Sequence, residues 1–277
     1  IVCSLESIEK IIMGKFCCFT SDSEVMGGQS SSRSGKGRSD EGLIKFGFSL
    51  VKGKANHPME DYHVANFINI QDHELGLFAI YDGHMGDTGE FWVDPQKSIL
   101  KAYEKTDQAI LSNSSDLGRG GSTAVTAILI NGRKLWIANV GDSRAVLYRG
   151  GKTMQMSTDH EPRAERSSIE DRGGFVSNLP GDVPRVNGQL AVSRAFGDKG
   201  LKTHLSSEPD IKHANVDSQT DILVLASDGI WKVMTNEEAM EIAKRVKDPL
   251  KAAKELTAEA LRRESKDDIS CVVVRFR

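Results

Sequence analysis

Cysteine is scarce: four residues in 277, at Cys3, Cys17, Cys18 and Cys271. Two are adjacent, one stands near the start and one lies in an apolar run, so a disulfide framework is excluded and a reducing, intracellular compartment is expected. Charge of one sign is missing too. The net charge is −3 and no basic stripe stands out, which leaves no electrostatic footprint for nucleic acid. The longest apolar runs are strand-sized, so no membrane-spanning helix is expected. A chain of this length buries roughly 75% of its unfolded surface, enough for a core without covalent staples.

The chain begins at Ile1, and its first methionine is Met13. Residues 1–12 are therefore expected to lie upstream of the native start. From Met13 the text reads MGKFCC, where an acylation pattern asks for Ser or Thr at the sixth position and finds Cys18. Anchoring through Cys17 and Cys18 is not expected, and a cytoplasmic or nuclear location is. Residues 20–42 are rich in Gly and Ser with scattered charge, so 1–42 reads as a flexible leader and 43–277 as the globular domain.

Strands are expected at Ile44–Val51, Tyr62–Ile70, Gly76–Tyr81, Ser122–Ile130, Lys134–Val140, Arg144–Tyr148, Asp221–Ala226 and Ser270–Phe276. Asn131-Gly132 marks one hairpin and Gly150-Gly151 another. Helices are expected at Gln96–Asn113, Pro162–Arg172, Thr235–Lys247 and Pro249–Glu264, with Thr235 and Glu238 spaced as a capping box. Strands arrive in consecutive hairpins and helices in pairs, which points to a largely antiparallel α+β layered domain.

Acidic residues recur at strand edges: Glu60-Asp61, Asp82 after LGLFAIY, Asp228 after ILVLAS, and Asp267-Asp268 before ISCVVV. Carboxylates on rigid strand ends suit a hard divalent cation, and the absence of Cys ligands favours Mg²⁺ or Mn²⁺ over Zn²⁺. Each Asp-Gly taken singly is equally a turn. The residues alone leave both readings open.

MEDYH, YDGHMG, GGSTAVTAIL, ANVGDSRAVLYR, DHEP, RGGFV, LAVSRAFGD, SSEPDI, ASDGIWKVM and DDISCVVVRF stand in an order that resembles plant-type protein phosphatases 2C, from about Ile44 to Phe276. The resemblance implies a sandwich of two antiparallel β-sheets flanked by pairs of helices. It implies metal-dependent hydrolysis of phosphoserine and phosphothreonine in proteins by a hydroxide bridging two Mg²⁺ or Mn²⁺ ions, in a monomeric signalling enzyme. Asp82 would bridge the metals, the Gly83 carbonyl would bind one, and Asp228 and Asp267 would bind the other. Glu60 and Asp61 would sit around the metal-bound waters, and His84 would protonate the leaving oxygen. No nucleophilic cysteine is needed, and Cys271 has no Cys-x5-Arg loop.

The chain departs from that pattern in places. Asn56 stands where the family has a phosphate-holding arginine, leaving Lys54 as the nearest cation. Lys232 replaces an aspartate that with Asp142 would serve a third metal, so that site is expected to be crippled. The text after Asp82-Gly83-His84 runs almost directly into the next helix, so a deletion near 86–95 is expected to have removed a long amphipathic helix. That loss opens an alternative: a catalytically impaired binding or decoy protein. A small-molecule phosphoesterase is a third reading. The flap over 172–188 carries no tryptophan, so the lock of the abscisic-acid co-receptor subgroup is not expected.

Overall fold

The computed structural model describes residues 32–40, 42–51, 63–70, 73–81, 94–114 and 120–276. These fall into two units. Segments within Ser30–Asp82, Ala124–Asp159 and Asp210–Arg277 form the first, and segments within Gly83–Thr123 and His160–Pro209 the second.

In chain order the first unit contains β1 (Ser32–Arg38), β2 (Lys45–Val51), β3 (His63–Ile70), β4 (His73–Tyr81), β6 (Ala124–Ile130), β7 (Lys134–Val140), β8 (Arg144–Arg149), β9 (Lys152–Gln155), β13 (Asp210–Asn215), β14 (Thr220–Ala226), α3 (Asp228–Trp231), α4 (Asn236–Arg245), α5 (Pro249–Arg262) and β15 (Ile269–Arg275). The second contains α1 (Pro95–Ser112), β5 (Gly121–Ser122), α2 (Arg166–Asp171), β10 (Val176–Ser177), β11 (Arg185–Val186) and β12 (Phe196–Gly197).

Two antiparallel sheets make the first unit: six strands in the order β1-β2-β15-β14-β8-β9, and five in the order β13-β7-β6-β4-β3. The antiparallel α+β layering expected from the hairpins, and the two-sheet sandwich that the resemblance implies, are the observed architecture. Period-2 alternation explains why the sheets stack. Along β14, Leu223 and Leu225 join the core between the sheets, where Phe78, Leu129, Ile137 and Val272 also lie. Ile222, Val224 and Ala226 face the other way, into a layer with Met240 of α4 and Leu256 of α5. Phe46, Phe67 and Phe78 fill the inter-sheet space edge to face, with Phe78 ring centroids 5.4 Å from each of the others.

The turn chemistry works as the sequence indicates. Asn131 and Gly132 both take positive φ (49° and 62°) between β6 and β7. Gly150 and Gly151 do the same between β8 and β9 (56° and 77°), which suits the twist of the flanking strands. Thr235 Oγ1 accepts from the Glu238 amide at 3.2 Å and Glu238 Oε2 from the Thr235 amide at 2.8 Å, closing the capping box on α4.

Several expectations need correction. The leader does not run unbroken to residue 42, because β1 pairs along its length with β2. Gly35 and Gly37 lie opposite Phe48 and Phe46, where a Cβ would come within 2.6 and 2.5 Å of the rings. Composition that looks linker-like is what lets those rings lie across an edge strand. The strand expected at Ser122–Ile130 breaks at Thr123, and the helix expected over Pro162–Arg172 shortens to Arg166–Asp171. β13 was missed because DIKHAN shows no apolar alternation; among the described residues it is an edge strand paired with β7.

In the second unit, Asp94 Oδ1 caps α1 through the Lys97 amide at 2.9 Å. The buried face of α1 sets Tyr103 against Phe196, with ring centroids 5.1 Å apart. Asp107 Oδ1 accepts from the Gly197 amide at 2.8 Å and pairs with Lys202 Nζ at 2.7 Å. A separate small core of Ile169, Val176, Val186, Leu201 and Leu205 holds α2 and the β10–β11 hairpin of the flap. Among the described residues, no helix is long and apolar enough to cross a membrane.

Candidate metal centre

β14 and β15 run antiparallel, so the end of one meets the beginning of the other. Asp228 opens α3 directly after β14, and Asp267 stands just before β15. The two ends are fastened together: the Ser227 amide donates to Ser270 O and the Ser270 amide to Ser227 Oγ, both at 3.0 Å. Ser265 Oγ donates to Gly229 O at 2.7 Å. A Cβ on Gly229 would lie 2.0 Å from Asp268 O, so only glycine allows this approach. The Asp-Gly here is thus more than a turn dipeptide; it brings the Asp267 segment against the first turn of α3.

Asp142 enters from the β7–β8 turn, where Gly141 takes a φ of +95°. Its carboxyl is pushed up to about 7 by burial and by the Asp228 charge. Burial raises Asp228 as well; Lys232 opposes the shift and Asp267 adds to it. Carboxylates so crowded call for a cation. Lys232 supplies one: its Nζ pairs with Asp228 and lies 2.7 Å from Asp267 Oδ2. Burial disfavours its charge, but the two carboxylates outweigh that and hold the ammonium above its ordinary pKa.

A second cation braces the same corner. Arg144 forks onto Asp159, with Nε 3.1 Å from both oxygens, and its Nη1 donates to Asn236 Oδ1 at 2.7 Å. Its guanidinium also lies over Trp231, 5.2 Å from the ring centroid. Trp231 Nε1 in turn donates to Ala226 O at 2.9 Å. The first turn of α3 is therefore held from both sides.

Of the site residues expected from sequence, the structure describes Asp228 and Asp267 and brings them to one ammonium. Lys54, Glu60, Asp61, Asp82, Gly83 and His84 lie outside the described residues, as do Cys17 and Cys18; β4 ends at Tyr81, one residue before Asp82. Among the described residues, no three His, Cys, Asp or Glu side chains form a group that could hold a metal ion. The donors present nonetheless fit a hard cation: they are all carboxylate oxygens, and they already take a positive charge between them. Sequence reasoning marked Lys232 only as a departure. Its i, i+4 spacing from Asp228 on a helix was the signal that the two would meet. The buried Cys271 thiol is pushed up to about 12 by burial, so it is no nucleophile at neutral pH.

The family model described as Protein phosphatase 2C matches residues 88–269. Probable protein phosphatase 2C 9 of Arabidopsis thaliana is 87% identical over 281 residues, covering 96% of this chain and 100% of the relative. Probable protein phosphatase 2C 41 of Oryza sativa subsp. japonica is 62% identical, with 96% of this chain and 100% of the relative covered. Among solved structures, a serine-threonine phosphatase 2C from Toxoplasma gondii superposes with a TM-score of 0.70 at 24% identity, over 84% of this chain and 95% of that one. The catalytic domain of the serine/threonine protein phosphatase PstP, solved with two manganese ions, gives 0.57 at 19% identity, over 84% and 97%. These two likenesses are of fold.

Proposed function

The chain belongs to the protein phosphatase 2C family, in the company of plant relatives, and on that premise we propose that it hydrolyses phosphoserine and phosphothreonine in protein substrates with Mg²⁺ or Mn²⁺. Beyond family membership, the observation that carries the reading is the meeting of Asp228 and Asp267 at one cation. Two divalent ions at such a centre supply an acidified water and offset charge on the phosphoryl oxygens.

The residues divide the remaining work. Asp82, the Gly83 carbonyl, Asp228 and Asp267 would hold the metal ions. Glu60 and Asp61 orient water through their carboxylates. His84 delivers a proton to the departing serine or threonine oxygen, a contribution of ~10²–10⁴-fold for a positioned acid. Lys54 offers a point charge to the substrate phosphate rather than an arginine fork. The protein is proposed to act as a monomer in the cytoplasm or nucleus.

Two observations favour the decoy as a second reading. The alignment with the Arabidopsis relative spans 281 positions, more than the 277 residues of this chain, so this chain lacks residues that the relative has. The family match also begins at residue 88, beyond Asp82-Gly83-His84.

The test is turnover of a phosphothreonine peptide by the full chain with Mn²⁺. Asp228→Asn is expected to weaken metal binding by about 100-fold or more, since even partners behind a ligand are worth 10–100-fold, and to remove activity at ordinary metal concentrations. Activity surviving in both Asp82→Asn and Asp228→Asn would rule out the metal mechanism. A wild-type chain that melts cooperatively but never turns over would favour the decoy.

A further inference from the structure

Asp228 and Asp267 come from different segments of the chain, yet their Oδ2 atoms address the same nitrogen. That nitrogen is Lys232 Nζ, four residues beyond Asp228. A divalent ion bound by both carboxylates needs the lone pairs that the ammonium now takes. Two cations cannot share them: at a few ångström, like charges repel strongly even in a partly screened setting. We propose that Lys232 is a tethered counter-cation, which closes the Asp228–Asp267 pair in the metal-free protein and has to release it before a divalent ion binds there. The inference rests on the reading of these two carboxylates as metal ligands.

The side chain is built for release. It is 55% exposed, against 24% for Asp228 and 41% for Asp267, so its head can swing into water while the carboxylates stay where the backbone puts them. Four methylenes let a lysine do this without moving the helix. Asp228 is fixed by Gly229 and the Ser227–Ser270 bonds, and Asp267 Oδ1 accepts from the Asp268 amide at 3.0 Å. Lys232 therefore has two effects of opposite sign. It steadies the metal-free protein by neutralising a carboxylate pair, and it lowers affinity for the metal by competing for that pair. An aspartate at this position, by contrast, would add an oxygen donor.

Mn²⁺ binding to the full chain, followed by calorimetric titration and by the spin-resonance signal of free Mn²⁺, tests this without turnover. Lys232→Met keeps the length of the stem and removes the charge; its Kd for Mn²⁺ is expected to fall by roughly tenfold or more. Its metal-free Tm is expected to fall as well, and its upshift on adding Mn²⁺ to exceed that of the wild type. Lys232→Arg, which keeps the charge, is expected to bind Mn²⁺ close to the wild-type Kd. Lys232→Gln serves the same purpose should the Met variant not fold. A Kd unchanged or raised in the uncharged variants, while Asp228→Asn weakens binding, overturns the tethered cation alone. An Mn²⁺ isotherm that Asp228→Asn leaves untouched overturns the metal reading and the inference with it.

Discussion

Asp198 shows how burial acts on a single carboxyl away from the metal centre. It sits at the end of β12 with a φ of +50°, and its pKa is pushed from 3.8 up to about 6. Burial is the main cause; Lys202 pulls the other way and Asp107 adds to the rise. Between about pH 4 and pH 6 the folded protein holds a proton that the unfolded chain has released, so stability falls as pH climbs through that window. Asp198→Asn removes the titration and tolerates the same backbone conformation. Its stability is expected to match the wild type near pH 4 and to exceed it above pH 6, levelling at a gain of about 1 kcal/mol once solvent screening is allowed for. Melts across this range check it, and a difference that does not vary with pH would exclude the carboxyl as its source. The sequence offered no sign of this shift. It depends first on burial, which only the fold creates, and then on Asp107, 91 positions away along the chain, adding its charge.

Helices and hairpins were largely legible because their signals are local. Asn131-Gly132 and Gly150-Gly151 turn where they should, and Lys134–Val140 and Pro249 start or bound elements as read. The Thr235–Glu238 box closes α4. Thr235→Ala is expected to cost about 1 kcal/mol, the usual worth of an N-cap oxygen. The readout is a lower urea midpoint with an unchanged m-value, and a full wild-type midpoint would show that the box adds nothing. β1 was illegible for a physical reason. Gly35 and Gly37 carry no strand propensity, and their use emerges only once Phe46 and Phe48 lie across them.

The two stacked sheets of the first unit share one apolar interior, to which both contribute alternate residues. Leu225 is fully buried there, so Leu225→Ala is expected to destabilise the protein by about 2–5 kcal/mol. Denaturant unfolding measures it, and a loss below about 1 kcal/mol would mean that the cavity collapses. Most strand positions and the antiparallel layering were already present in the linear text, since alternation and turn dipeptides need no partner to be read, and motif order carried the resemblance that implied the sandwich and singled out the acidic residues. The company those acids keep was not. Lys232 meets Asp267 across 35 positions, and Asp142 meets Asp228 from a separate turn. Pairing of β14 with β15 and with β8 makes those meetings, and a backbone register of that range leaves no trace in the spacing of residues.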